Sequence, residues 1–160
     1  MPTTFLHAPF YYENFIYFGM EPHRNAQNVL SLNLPLGKGK LPCIGSEDIG
    51  KTALALFKKG PEMTGRTVGV IGDHLTGEEL AAIISDAFGE TVLYEPVTTK
   101  EYASAGFPGA QELANQFQYF DEGTEMFSNQ FSIKETRSLN PALQGFTGWL
   151  KVNRSRIPAH

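Results

Sequence analysis

Thr3-Thr4-Phe5-Leu6-His7-Ala8-Pro9-Phe10-Tyr11-Tyr12-Glu13-Asn14-Phe15 stands almost at the first residue of the chain. Phe5, Phe10, Tyr11, Tyr12, Phe15, Tyr17 and Phe18 crowd the same region with aromatic rings. Thr3 to Ala8 reads as a buried strand, and Pro9 ends it because proline offers no N–H to a ladder. A buried strand needs neighbours on both sides. Almost nothing precedes this one, so the expectation is that sheet neighbours belonging upstream are missing. An unpaired apolar edge also favours pairing with another copy, so a homo-oligomer is expected.

Working outward, Val29 to Leu34 alternates, with Leu30, Leu32 and Leu34 on one face and Ser31 and Asn33 on the other. That pattern predicts a strand with one wet face. Gly37-Lys38-Gly39 reads as a turn, and Leu41 to Ile44 is expected to pair back as a hairpin. Ser46 then caps a helix whose first turn carries Glu47 and Asp48. Ile49, Ala53, Leu56 and Phe57 form its apolar stripe, and Gly60 stops it. Thr67 to Ile71 reads as a short strand. Thr76-Gly77-Glu78-Glu79 is a capping box opening a helix that runs to Gly89. Thr91 to Val97 reads as an edge strand, and Thr98 to Glu101 as a second capping box. Gly109 to Phe120 is helical by its Leu113, Phe117 and Phe120 spacing. Beyond Gly123 the signals weaken until Thr147, which reads as the cap of a last helix burying Trp149 and Leu150. Strands alternating with helices predict an α/β fold.

The chain's 160 residues predict one domain, and 41% hydrophobic against 19% charged residues is core-forming composition. A net charge of −4 argues against nucleic acid as a partner. The single cysteine, Cys43, excludes an internal disulfide and a thiolate metal cluster, and fits a reducing, cytoplasmic setting. No run of about 18 apolar residues predicts a membrane span, and the N-terminus lacks signal-peptide features. His7, His23, His74 and His160 show no ligand spacing, so no metal is expected.

Gly45-Ser46-Glu47-Asp48-Ile49-Gly50-Lys51-Thr52 matches the P-loop pattern letter for letter. Glu47 and Asp48 would, however, point negative charge into a nest built for phosphate. The same residues suit an acidic first helical turn, and that is the reading preferred. No G-x-G-x-x-G joins a strand to a helix. No tyrosine has lysine four places on, and no Ser/His/Asp or Cys/His set assembles.

Thr4 to Phe15, with its Pro9-x-x-x-Glu13-Asn14 pattern, resembles a segment of NmrA-like proteins. These are atypical short-chain dehydrogenase/reductase relatives, here most similar to the HSCARG type. Ser46 to Gly50 is similar to the family's Asp-Ile-Gly helix start, and Gly106 to Asn115 with Phe117 is the most specific match. Leu139-Asn140-Pro141 followed by Trp149-Leu150 resembles the family's C-terminal end. The resemblance implies that residues 1–160 are a single domain, the C-terminal portion of an NmrA-like Rossmann fold. That portion would hold the last Rossmann strand plus the smaller α/β lobe, with the N-terminal dinucleotide-binding half absent. It implies cofactor contacts from Pro9, Tyr11, Tyr12, Glu13 and Asn14 to NADP in the complete fold, weak or absent for this chain alone. Tyr12 stands where the family has Phe, and His7 where it often has arginine. The implied function is a non-catalytic NADP(H) redox sensor acting on a regulatory protein partner. The alternatives are an NAD(P)H-dependent oxidoreductase of the atypical short-chain dehydrogenase type, acting on a small apolar substrate, and a P-loop nucleotide hydrolase.

Overall fold

Short strands and capped helices alternate along residues 1–158, the part of the chain that the computed structural model describes; His160 lies outside it. β1 (Phe5–His7) pairs in parallel with β6 (Thr67–Gly69). β2 (Phe10–Tyr11) lies parallel to β5 (Leu41–Ile44), which pairs antiparallel with β7 (Asp73–Leu75). β3 (His23–Arg24) turns back on β4 (Leu30–Leu32), and β4 runs parallel to β8 (Val92–Tyr94). Three parallel pairings therefore begin at Phe5 and need crossovers through helices. This corrects the expected fold class: the layout is a Rossmann-type α/β arrangement from Phe5 onward, not one last strand with a small lobe.

The helices follow their local signals. α1 is the single turn Asn14–Tyr17. α2 (Ser46–Lys59) carries Glu47 and Asp48 at its positive end and Lys58 and Lys59 at its negative end. α3 (Gly77–Phe88) and α4 (Thr99–Ala103) each open with a complete capping box, at Thr76 and Thr98, and Gly89 closes α3 in the left-handed region. α5 (Ala110–Glu122) buries Ala114, Phe117 and Phe120. α6 (Thr124–Gln130) and α7 (Ile133–Leu139) occupy the stretch where sequence signals were weak. α8 (Phe146–Asn153) buries Trp149 and Leu150 as expected, although Gly145 rather than Thr147 is its N-cap.

Three strand expectations change. β4 has no wet face: Ser31 is only 2% exposed between β3 and β8, and its hydroxyl donates to Asn33. Leu41 to Ile44 does not fold back on β4 as a hairpin but sits between β2 and β7. β1 is half-exposed rather than buried, with Phe5 61% exposed. The main core gathers Phe10, Phe15, Phe117, Phe127, Phe146 and Trp149, and a smaller one packs Ile44, Leu56, Val68 and Val70 under α2. Each large side chain so buried contributes about 1.5–3 kcal/mol. Together they fix the turn after β2 against α2 and α8.

Candidate functional site

The chain leaves β2 at Tyr11, and the backbone N–H of Tyr12 donates to the Ile44 carbonyl at 3.0 Å. That bond delivers Glu13 to the start of α2. One Glu13 oxygen accepts the Ser46 N–H at 3.0 Å and the other accepts the Trp149 indole N–H at 3.2 Å. A single carboxylate thus ties the Pro9–Asn14 turn to two helices. It also does for α2 what the sequence assigned to the Ser46 side chain. Ser46 is the first helical residue, Gly45 is the N-cap, and no side-chain cap bond forms from it. Beside this joint lies a cavity of about 300 Å³ walled by Glu13, Tyr17, Ser46, Trp149, Asn153 and Arg156.

The P-loop match dissolves in this geometry. Ser46 to Thr52 is regular helix, the Glu13 carboxylate occupies its first free N–H, and Lys51 pairs with Glu47 at 2.8 Å. A phosphate there would meet a resident anion instead of a nest of donors.

The implied contact residues divide in two. Pro9 and Tyr12 are buried, with the Tyr12 ring packed 5.2 Å from Phe146 and 5.4 Å from Trp149. Glu13 is spent on the two helices. Tyr11 is 42% exposed, Asn14 is half-buried, and neither side chain makes a hydrogen bond among the described residues. The turn therefore presents one ring and one amide, held from behind by the other three. His7 lies apart, exposed on β1 with its ring 5.0 Å from Phe131.

Two more carboxylates, Asp48 and Asp73, complete the support. Asp48 is 3% exposed and accepts from Asn140 Nδ2 at 2.7 Å and from the Gln144 N–H at 3.0 Å, which anchors the α7–α8 connection. Asp73 accepts the Phe146 N–H, the first of α8. The Tyr12 hydroxyl, fully buried, has no partner in good hydrogen-bonding geometry among the described residues, although Asp73 lies close enough for the two groups to act on each other. Burial, followed by the nearby Cys43, Asp73 and Asp48, pushes that phenol far above its ordinary range.

Asp73 gives a pH prediction. Burial raises its carboxyl above the ordinary value, against the lowering effects of the Phe146 N–H, Tyr12 and Arg137. A carboxyl raised in the fold adds stability that is complete below its unfolded pKa and is lost as pH rises through the folded one. The stability of wild type relative to Asp73→Asn is therefore expected to fall as pH rises from below 4 toward neutrality. Urea titrations of both proteins across that interval measure it, and a difference that is flat or grows with pH would refute it.

Comparison with known proteins follows this geometry. The family model described as the NmrA-like family matches residues 1–150. The chain belongs to the NmrA-like family. The match runs over nearly the whole chain, which corrects the expectation of a C-terminal half only. Among solved structures, the negative transcriptional regulator NmrA in complex with NADP is 21% identical at a TM-score of 0.73, over 94% of this chain and 52% of that one. The Citrobacter sp. triphenylmethane reductase complexed with NADP(H) is 20% identical at 0.74, over 95% and 53%. An NADPH-dependent quinone oxidoreductase from Escherichia coli is 18% identical at 0.67, over 90% and 52%. The chain thus spans about half the length of these relatives. Two of the three are reductases by name, which overturns the expectation that an NmrA-like chain of this kind is not an enzyme. NmrA has been solved with NADP and with NAD, and the triphenylmethane reductase with NADP(H). Among the described residues, no helix is long and apolar enough to cross a membrane.

Proposed function

We propose that this chain is a single-domain component of an NADP(H)-dependent, cytoplasmic oxidoreductase of the atypical short-chain dehydrogenase type. It would provide the wall of the site at the nicotinamide end. The observation that carries this is the turn itself: the Tyr11 ring and Asn14 amide are free, and Pro9, Tyr12 and Glu13 hold them rigidly. An exposed ring and a free amide are the kind of groups that would hold a flat, amide-bearing ring, Tyr11 through its face and Asn14 through a hydrogen bond. When bound, the reduced nicotinamide supplies a hydride. The chain's own Tyr11 and Asn14 would orient that ring. Small apolar acceptors, such as a quinone or a triarylmethane dye, are the substrate class to try.

The sequence holds no Gly-rich turn to grip a pyrophosphate, so this chain's share of the site is ring and amide contacts. Without charge-assisted phosphate bonds, affinity of the 160-residue chain for NADPH is expected at roughly millimolar, about −4 kcal/mol. Asn14→Ala should weaken it severalfold and leave thermal stability unchanged. Calorimetric titration with NADPH tests both, and micromolar binding by this chain would overturn the division. NADPH oxidation with quinone and dye acceptors, measured on the whole natural protein, separates an enzyme from a redox sensor. Tight binding without turnover would favour the sensor, with a regulatory protein as its partner.

A further inference from the structure

The cavity of about 300 Å³ beside the Glu13 joint lies at the carboxyl ends of two parallel strands, since Glu13 follows β2 and Ser46 follows β5. Ligands of open α/β folds ordinarily bind in crevices at that position. Its walls are drawn from between Glu13 and Arg156, not from the first residues of the chain. Each carboxylate on the wall is already engaged. Glu13 accepts from Ser46 and Trp149, Asp48 accepts from Asn140 and Gln144, and Glu47 pairs with Lys51 at 2.8 Å. Arg156 is different. Its guanidinium donates to the Asn153 side-chain oxygen at 2.7 Å and to the Tyr17 hydroxyl, and it lies 5.7 Å from the Tyr17 ring. These partners are neutral, and no carboxylate pairs with Arg156 among the described residues. A guanidinium carries more N–H donors than those two bonds use. The Ser46 hydroxyl and the Gln144 side-chain amide, on the same wall, make no hydrogen bond among the described residues.

We infer that this cavity binds an uncharged, ring-sized molecule through a carbonyl oxygen, to which the Arg156 guanidinium donates. Both signs of charge flank the space. A cation would meet Arg156, and an anion would meet Glu13 and Asp48, which are held in place by the bonds they accept. A neutral hydrogen-bond acceptor meets neither penalty. A carbonyl oxygen has two lone pairs, and Arg156 with Ser46 or Gln144 can fill both. A bond from an ionised donor is stronger than one between neutral groups. Trp149 and Val152 give the ring an apolar wall. Ligand pockets begin at about 300 Å³, so this one suits a single ring and not three joined ones. Calling the bound molecule the hydride acceptor rests on the reading of the Tyr11–Asn14 turn. It then narrows the acceptors to uncharged ring carbonyls and sets cationic dyes aside.

Trp149 is the only tryptophan of the chain and lines the cavity, so its single indole N–H resonance reports occupancy. Acetophenone, benzoate and benzylammonium are similar in size and differ in charge. Titrated into the full chain, acetophenone is expected to shift that resonance with an affinity about tenfold above either charged analogue, about 1.4 kcal/mol. Arg156→Ala should weaken acetophenone by about tenfold. Arg156→Glu should weaken it as well and bring in benzylammonium, a reversal that a merely structural arginine would not produce. Arg156 is exposed, so the variants should fold, and the remaining amide resonances check that they do. NADPH binding is scored separately, by its loss in Asn14→Ala, so the turn can fail as a nicotinamide wall while acetophenone still binds at Arg156. No shift with acetophenone, a preference for benzoate or benzylammonium, or equal acetophenone binding by Arg156→Ala would overturn the proposal.

Discussion

Asp48→Ala is expected to cost about 3–4 kcal/mol of folding stability, because hydrogen bonds to a charged group are worth roughly 1.5–3 kcal/mol each. Asp48 sits on the inner side of the first turn of α2, 3% exposed. One oxygen holds the Asn140 amide at 2.7 Å and the other the Gln144 N–H at 3.0 Å. Truncation leaves both donors facing a dry space, and a donor stranded without water or partner costs more than the bond was worth when made. Lys51, 4.0 Å away with its side chain 40% exposed, contributes little and will not compensate. Asp48→Asn keeps one acceptor but turns an N–H₂ toward the other donor, so it should lose about half as much. Urea denaturation measures both variants, and hydrogen exchange should show residues 140–146 opening first. A loss below about 1 kcal/mol in Asp48→Ala would mean that water reaches these groups.

Why Asp48 escaped a sequence reading is plain from where its partners lie. Glu47 and Asp48 are equally good acidic residues for a helix start, and one-dimensional pattern assigns both to the dipole. Asp48's partners are 92 and 96 residues away, and no local rule reaches that far. The elements that were legible are those whose cause is local. The boxes at Thr76 and Thr98 close within four residues and appear as expected. So do the charged ends of α2 and the buried stripe of α5. Pairing was not legible. Ser31 and Asn33 look like a solvent face, yet β4 is the middle strand of its sheet, and the two polar groups satisfy each other. β7 carries Asp73 and His74 in a run of three, without the alternation that announces a strand. It exists because β5 offers it an edge. At the site, the family resemblance pointed to the Pro9–Asn14 turn, but only the fold shows its two layers, with Tyr11 and Asn14 outward and Tyr12 and Glu13 turned into the protein.

The Tyr12 hydroxyl is the place where this inner layer is least comfortable, and Gly72 is what leaves room for it. A Cβ at Gly72 would lie 2.5 Å from that hydroxyl, 3.0 Å from the Gln144 carbonyl and 3.3 Å from the Cys43 carbonyl. Gly72 cannot slide away, because its N–H donates to that same Cys43 carbonyl at 2.8 Å. Gly72→Ala is therefore expected to cost about 2–3 kcal/mol as overpacking in a closed site. Tyr12→Phe alone removes a buried hydroxyl that has no partner in bonding geometry, so it should be neutral or stabilise by up to about 1 kcal/mol. In the double variant the worst contact disappears. The Gln144 carbonyl remains at 3.0 Å, so recovery should be partial, with a coupling of about 1 kcal/mol or more between the two positions. The sign follows from which neighbour yields: a phenol oxygen can be deleted, whereas a backbone carbonyl held in the α7–α8 connection cannot. Thermal or urea unfolding of the four proteins closes the cycle. Strict additivity would show that the Gly72 methyl is resisted by backbone alone and that the Tyr12 hydroxyl has space to turn aside.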